Sequence, residues 1–192
     1  MWQDAGPRKV PIAVNMSVKQ CEQSDYASVV LDALAATGLE AKYLELEITE
    51  SISMANPGQS VPLMRRLKQT GVTLSIDDFG TGFSNLSYLR RFPIDRLKID
   101  QSFVREITND PGSLAISESI ITLSHNLNLQ VVAEGVETRE QLEVLRVHGC
   151  DAVQGYYFSP AVTHEEIALL LARNRRLPIP ELTVHRSNAS AA

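Results

Sequence analysis

Short apolar segments alternate with amphipathic segments six times along the chain, and this alternation restricts the fold more than any other feature. A segment that is apolar on both faces is typical of a strand in a parallel sheet, which helices cover on both sides. The amphipathic segments between them predict those helices. The predicted strands span residues 10–14, 43–48, 72–77, 96–100, 129–133 and 152–156.

Caps and glycines predict where the helices begin and end. Thr138 with Gln141, and Thr163 with Glu166, have the spacing of a capping box, in which the two side chains satisfy free backbone N–H groups. Glycine after a helical pattern marks its end. The other predicted first residues and the closing glycines are Ser24 or Asp25, Ser60, Ser84, Ser113, Gly38, Gly71 and Gly149.

A doubly wound sheet and a closed barrel both match this alternation, and the polar residues at the strand ends favour the barrel. Barrel enzymes draw their site residues from the carboxyl ends of many strands, whereas an open sheet gathers them at one crevice. A full barrel needs eight units in about 250 residues, so we predict a TIM-type (β/α) barrel with about six of its eight units. The polar strand-end residues are Asn15, Glu47, Asp77, Asp78, Lys98, Asp100, Glu134 and Gln154.

Two adjacent carboxylates, Asp77 and Asp78, end the third predicted strand and precede a turn that contains Gly80 and Gly82. Oxygen ligands of this kind suit Mg²⁺ or Mn²⁺ better than zinc. Aspartates that cap their own turn explain the same pattern, and this stretch alone does not choose between the two. We interpret Glu45, on the same face of its strand as Glu47, as a structural or solvated charge.

Composition excludes several classes of protein. A net charge of −5 does not favour a protein that binds polymeric nucleic acid, which needs a basic surface. The sequence contains no run of about 18 apolar residues, so it predicts no membrane segment. The two cysteines, Cys21 and Cys150, lie far apart and have no metal or redox spacing. They predict free thiols in a reducing compartment, and thus a cytoplasmic location.

Six ordered motifs make the sequence resemble the EAL-domain family, the bacterial phosphodiesterases that open the second messenger cyclic di-GMP. The resemblance extends from about Val10 to Leu171. Six motifs in order are far more specific than any one of them. The motifs are Val14-Asn-Met-Ser17, Leu44-Glu-Leu-Glu-Ile-Thr-Glu-Ser51, Ile76-Asp-Asp-Phe-Gly-Thr-Gly82, Leu97-Lys-Ile-Asp100, Ala133-Glu-Gly-Val-Glu137 and Gln154-Gly-Tyr156.

This resemblance implies a two-metal hydrolysis of cyclic di-GMP to linear pGpG, with Mg²⁺ or Mn²⁺ as the cofactor. It implies metal ligands at Asn15, Glu47, Asp77 and Asp78. Glu134 would bind the metal shell or act as the base, and Lys98 would be a fixed positive charge beside the phosphate. The remaining implied roles are support of the loop at residues 78–83 by Glu50, and positioning of water or nucleotide by Gln154, Asp100 and Glu137.

One family motif, Glu-x-Leu-x-Arg, is absent from the sequence. We therefore expect a chain that lacks the first two strands, one glutamate ligand and a phosphate-binding arginine, and that is weak or inactive alone. Its open strand edges would invite a homodimer or another chain, and an upstream sensory or GGDEF-type domain would fit a longer protein. We predict a partial EAL domain over residues 1–173 and a flexible tail over residues 174–192.

Two other functions remain open at this point. The first is a non-catalytic EAL module that binds cyclic di-GMP or a protein. The absent motif favours it, whereas the intact strand-end residues oppose it. The second is an aldolase-like barrel with Lys98 as a Schiff-base nucleophile. Acidic neighbours oppose that function because they stabilise the charged amine.

Overall fold

Six parallel strands form one sheet in the computed structural model, which describes residues 9–23, 25–82 and 85–173. The strands lie side by side in sequence order, without the reversal of strand order that defines a doubly wound sheet. This order has the connectivity of a (β/α) barrel. The strands are β1 Ile12–Asn15, β2 Leu44–Thr49, β3 Thr73–Phe79, β4 Arg96–Ile99, β5 Gln130–Ala133 and β6 Ala152–Val153.

The sheet has two free edges. Within the described residues, β1 pairs only with β2 and β6 pairs only with β5. The predictions of six strands and of open strand edges are therefore confirmed for the described residues. The sixth strand is shorter than the predicted 152–156, because the Gln154 carbonyl accepts a hydrogen bond from the Val136 N–H (3.0 Å) and the chain leaves the sheet there.

Helices connect all consecutive strands. Capping boxes begin the helices after Thr138 and Thr163, as predicted, and a third one at Ser17 and Gln20 begins a short helix that we did not predict. The helices are α1 Val18–Glu22, α2 Tyr26–Thr37, α3 Glu50–Ala55, α4 Pro57–Gln69, α5 Leu86–Leu89, α6 Gln101–Glu106, α7 Pro111–Asn126, α8 Arg139–Val147 and α9 His164–Ala172, with a 3₁₀ turn at Ala41–Tyr43.

The predicted start of α4 at Ser60 is wrong, because the helix begins three residues earlier at Pro57. Proline suits the first helical position, where its missing N–H would have no partner inside the helix. The suggested caps at Ser24 and Ser84, the side chain of Phe83 and the tail over residues 174–192 lie outside the described residues. None of the helices that the structure describes is long and apolar enough to cross a membrane.

The two faces of the sheet have opposite character. The outer face packs against the helices, and its aliphatic side chains are almost wholly buried in the hydrophobic core: Leu46, Ile48, Leu74, Ile76, Leu97, Ile99 and Val131. Side chains alternate between faces along a strand, so the intervening residues point to the inner face. Most of these are polar or charged: Glu45, Glu47, Ser75, Asp77, Arg96, Lys98 and Gln130.

Candidate active site

The ammonium group of Lys98 lies at the centre of a buried cluster on the inner face. It contacts Glu134 Oε1 at 2.6 Å, Glu47 Oε1 at 2.7 Å and Asp77 Oδ1 at 3.1 Å. The three acids come from the ends of β2, β3 and β5, so one side chain of β4 joins four strands. Only 4% of the Lys98 side chain is exposed, and contacts made away from water are electrostatically strong.

The cluster changes the proton affinity of its members. Burial by itself lowers the pKa of Lys98, but hydrogen bonds to Glu134 and Glu47 outweigh burial and raise it. The amine is therefore charged at neutral pH, which opposes the Schiff-base function because that chemistry needs the neutral amine. Burial also raises the pKa of Glu134, and the nearby Lys98 only partly offsets it.

Asp78 adds a fourth carboxylate beside the cluster. Its backbone has a φ of 55°, a conformation that is uncommon for residues other than glycine, and its N–H donates to Asp77 Oδ1 at 3.0 Å. Burial, followed by the charges of Asp77 and Asp100, raises the pKa of Asp78. Ligand oxygens of Asp77, Asp78 and Glu134 all lie within 4.8 Å of one another. These three acids therefore match the oxygen donors that a divalent ion prefers.

Glu50 connects the start of α3 to the turn that follows Asp78. Its side chain is buried, and its Oε2 atom accepts hydrogen bonds from Gly80 N (2.9 Å) and Gly82 N (3.3 Å). Gly82 approaches so closely that a Cβ atom there would lie 3.2 Å from the Glu50 carboxylate. The contacts hold the turn directly beside Asp77 and Asp78.

An open groove of about 340 Å³ extends from the cluster along the inner face. Gln154 lines this groove next to Glu47 and Lys98, and its backbone N–H donates to Ala133 O at 2.8 Å. The segment around Gln154 also binds Val136 through two backbone hydrogen bonds, from Val136 N to Gln154 O and from Tyr157 N to Val136 O. Gln154 is thus held at the same strand ends as Glu134.

With this geometry in place, comparison with known proteins identifies the family. The EAL domain family matches residues 1–161. The chain belongs to the EAL domain family. Among curated relatives, this EAL domain is 47% identical over 155 residues to the cyclic di-GMP phosphodiesterase NbdA of Pseudomonas aeruginosa, covering 81% of the chain and 20% of NbdA. The chain thus spans about a fifth of the length of the curated relatives it matches first.

Solved structures agree with this assignment. The PaMucR phosphodiesterase in complex with c-di-GMP superposes on this EAL domain with a TM-score of 0.83 at 41% identity, covering 86% of the chain and 67% of PaMucR. A manganese and cyclic di-GMP complex of Klebsiella pneumoniae BlrP1 gives a TM-score of 0.75 at 34% identity, covering 83% of the chain and 41% of BlrP1. The predicted TIM-type barrel with some units missing is confirmed as the fold class of the described residues.

The predicted site residues fall into two groups. The structure brings Glu47, Asp77, Asp78, Lys98 and Glu134 together. The others lie around this cluster or apart from it. Asn15 is exposed and pairs with Glu47 in the β1–β2 ladder. Asp100 caps α6 through Ser102 and lies close enough to Asp78 for a hydrogen bond between the two carboxyl groups.

Glu137 is a predicted site residue whose recorded hydrogen bond lies outside the cluster. It is exposed, and its backbone N–H donates to Gln141 Oε1 at 2.8 Å. No ion pair joins Glu137 to Lys98 within the part of the chain that the structure describes. Its predicted role in positioning water or nucleotide therefore has no contact that supports it here.

Of the two predicted alternatives for Glu45, the structural charge is confirmed and the solvated charge is wrong. Glu45 is 5% exposed and forms an ion pair with Arg96. The pairing of Glu45 with Arg96 was not predicted from the sequence. The spacing of these residues could have predicted it. Glu45 lies two positions before Glu47, and Arg96 two positions before Lys98, so all four side chains point to the inner face.

Replacing Glu50 with alanine is expected to loosen the turn at Gly80 and Gly82, because both N–H groups lose their acceptor. Hydrogen exchange should accelerate at these two amides by about tenfold, the effect of losing roughly 1.4 kcal/mol of local stability. Mass spectrometry of the exchanged protein measures the change. Glu50→Gln keeps an acceptor oxygen and should retain most of the protection. Equal protection in Glu50→Ala and the native chain would contradict the role of Glu50.

Proposed function

We propose that this EAL domain is a metal-dependent phosphodiesterase domain that hydrolyses cyclic di-GMP to linear pGpG. The observation that carries the proposal is the convergence of Glu47, Asp77, Asp78 and Glu134 around Lys98 at one end of the sheet. Relatives that share this fold are named as cyclic di-GMP phosphodiesterases or were solved with the nucleotide.

Divalent cations are the cofactor that this cluster fits, with Asp77 and Asp78 as central ligands and Asn15 and Glu47 as further oxygen donors. Bound metal ions would lower the pKa of a water molecule and neutralise charge on the phosphoryl oxygens. Mg²⁺ and Mn²⁺ both match carboxylate and amide oxygens. The manganese complex of BlrP1 supports a divalent ion as the cofactor.

The side chains of the chain itself supply the other parts of the reaction. Glu134, with its raised pKa, is suited to accept a proton from the attacking water. Lys98 remains charged and so offers a fixed positive charge to the scissile phosphate. Gln154 lies in the groove beside Lys98 and is placed to hold water or a nucleotide. Asp100 contributes through its contact with Asp78, and Glu50 through the turn.

The same assignment implies the extent of the domain, its location in the cell and its partners. The partial EAL domain extends over residues 1–173, with a separate tail over residues 174–192. No disulfide joins Cys21 and Cys150 in the described residues, which agrees with a cytoplasmic protein. The named relatives include a bifunctional diguanylate cyclase and phosphodiesterase, which supports a further GGDEF-type or sensory domain in the same protein. The edges of β1 and β6 that have no neighbouring strand among the described residues support a homodimer.

Replacing Asp77 with asparagine is expected to abolish turnover, because Asp77 contacts Lys98 and belongs to the carboxylate cluster. The test incubates the chain with radiolabelled cyclic di-GMP and Mn²⁺ and follows pGpG by chromatography. The native chain should produce pGpG slowly, and Asp77→Asn should lose at least about 100-fold in rate, the upper cost of an altered metal site. The same rate in both proteins would contradict the proposed site.

The absent Glu-x-Leu-x-Arg motif favours a second function, a cyclic di-GMP receptor without catalysis. Calorimetry of the nucleotide with and without Mn²⁺ separates the two. A receptor should bind cyclic di-GMP without the metal and release no pGpG. Binding that requires Mn²⁺ and is followed by pGpG would exclude the receptor function.

A further inference from the structure

Two ion pairs follow each other along the inner face of the sheet, and each joins β2 to β4 across β3. Lys98 binds Glu47 in the candidate active site, and Arg96 binds Glu45 two residues earlier on both strands. Both glutamates are buried, with 5% of Glu45 and 7% of Glu47 exposed. Two negative side chains therefore follow each other on β2, and two positive side chains follow each other on β4.

The strand register permits a different pairing. Glu47 is the Cα partner of Ser75, and Ser75 is the Cα partner of Arg96. Arg96 is thus in register with Glu47, yet it forms its ion pair with Glu45, two residues earlier on β2. A second contact, from Arg96 Nε to Gln130 Oε1 (2.9 Å), keeps the guanidinium in this position. Without Glu45, Arg96 would compete with Lys98 for Glu47, the other buried acid on the same face of β2.

Ser75 separates the two ion pairs without joining them. It is fully buried on β3, and its hydroxyl has no hydrogen-bond partner in the described structure. The selection of partners therefore depends on the charges of Glu45 and Arg96 and on the bond to Gln130, with no relay through the serine. Ser75→Ala is accordingly a control that changes the same layer without changing a charge.

We propose that Glu45 and Arg96 are positioning residues for the metal site. Because Arg96 forms its ion pair with Glu45, it does not bind Glu47. Lys98 is then the cation that binds Glu47, Asp77 and Glu134. The proposal rests on the proposed function, because it assigns Glu47 to the site that binds divalent ions. A buried ion pair of this kind is costly to break on one side only, since the remaining charge seeks another partner.

The first test measures Mn²⁺ affinity by calorimetry, and the two single substitutions should act in opposite directions. Glu45→Gln frees a cation that competes for Glu47, so the affinity should fall by about tenfold, the lower range for residues that support metal ligands. Arg96→Gln frees an anion near the site, so the affinity should stay equal or rise. The double substitution Glu45→Gln/Arg96→Gln restores neutrality and should bind Mn²⁺ like the native chain, as should Ser75→Ala.

A purely structural ion pair predicts something different. Both single substitutions would then weaken Mn²⁺ binding and thermal stability together, and the double substitution would not restore the affinity. That result, or equal affinity in all variants, would overturn the proposal. If Glu45→Gln fails to fold, Arg96→Lys replaces it. Lysine keeps the charge but lacks the guanidinium group that binds Glu45 and Gln130 at once. Mn²⁺ affinity should therefore fall again. Unchanged affinity would count against the proposal.

The second test needs no metal and separates this proposal from the proposed function. The side-chain Cε and Nζ resonances of Lys98 are recorded by NMR in the metal-free chain. They should shift in Glu45→Gln and in Arg96→Gln, and should return to their native positions in the double variant and in Ser75→Ala. If these shifts occur but the native chain binds no Mn²⁺, the proposed metal site is contradicted, whereas the effect of the Glu45–Arg96 pair on Lys98 is supported. Unshifted Lys98 resonances in both single variants would overturn the pair.

Discussion

Replacing Lys98 with methionine is expected to lower the free energy of unfolding of the metal-free chain by about 3–5 kcal/mol, the cost of removing one partner from a buried ion cluster. Methionine has a similar length but no charge, so Glu47, Asp77 and Glu134 would face one another without a cation. For a chain of this size, the loss corresponds to a fall in melting temperature of about 6–20 °C. Thermal unfolding followed by circular dichroism in the presence of a chelator measures it.

The loss should depend on pH and on metal. Burial raises the pKa of Glu134 in the folded chain, and without Lys98 nothing in the cluster offsets that rise. The folded state then binds more protons, and stability falls as the pH rises through that pKa. The destabilisation should therefore be larger at pH 7 than at pH 5. Added Mn²⁺ replaces the missing positive charge and should recover part of the melting temperature.

Lys42→Met provides a matched control for the Lys98 substitution. Lys42 also forms an ion pair, with Glu40 at 2.6 Å, but both side chains are largely exposed at the surface. Such pairs contribute little to stability because water screens them. The melting temperature of Lys42→Met should stay close to the native value. A similar fall in both variants would mean that the Lys98 cluster has no special role in the metal-free chain.

Replacing Gly155 with alanine should disrupt the segment that carries Gln154. A Cβ atom at this position would lie 2.2 Å from the carbonyl oxygen and 2.4 Å from the nitrogen of Val136. Both are backbone atoms, so neither can move aside by a side-chain rotation. We expect a loss of about 3 kcal/mol or more, the upper end for overpacked sites, together with weaker binding of cyclic di-GMP because Gln154 shifts.

Gly58→Ala is the control for this substitution. Gly58 lies in the first turn of α4, where an added Cβ would meet its nearest atom, Asn56 Oδ1, at an ordinary 3.5 Å. Alanine is also the better helix former. Denaturant unfolding should therefore show an unchanged or slightly higher midpoint for Gly58→Ala and a much lower one for Gly155→Ala. Equal midpoints would show that the contact between Gly155 and Val136 can relax.

The sequence was sufficient to predict the strands and the side chains at their ends, because both depend on local pattern. Alternating apolar residues such as Leu74 and Ile76 place Asp77 on the opposite face, and this holds whatever the neighbouring strands do. Strand order was not predictable in this way. Doubly wound sheets and barrels have the same alternation of strands and helices. The strand-end residues favour the barrel, and the pairing of each strand with the next one in the chain establishes it.

Partner choice was the other property that local pattern could not predict. Glu45 and Glu47 look alike in sequence, and the structure separates them by the cation that each one binds, Arg96 or Lys98. These pairs connect residues about fifty positions apart, and they depend on how the strands are offset. The short sixth strand has a similar cause, since it ends where Gln154 and Tyr157 form backbone hydrogen bonds with Val136, a contact that the glycine at position 155 permits.

The sequential order of the strands also bears on how the chain assembles. Each strand can join the sheet as soon as it is complete, because its partner has already been made, and short separations in sequence favour fast folding. The Lys98 cluster does not share this advantage. It draws on β2, β3, β4 and the end of β5, so the first half of the sheet can form while its acidic residues still lack their shared cation. The last residue to reach the cluster, Glu134, completes a binding centre in a sheet that is otherwise largely assembled.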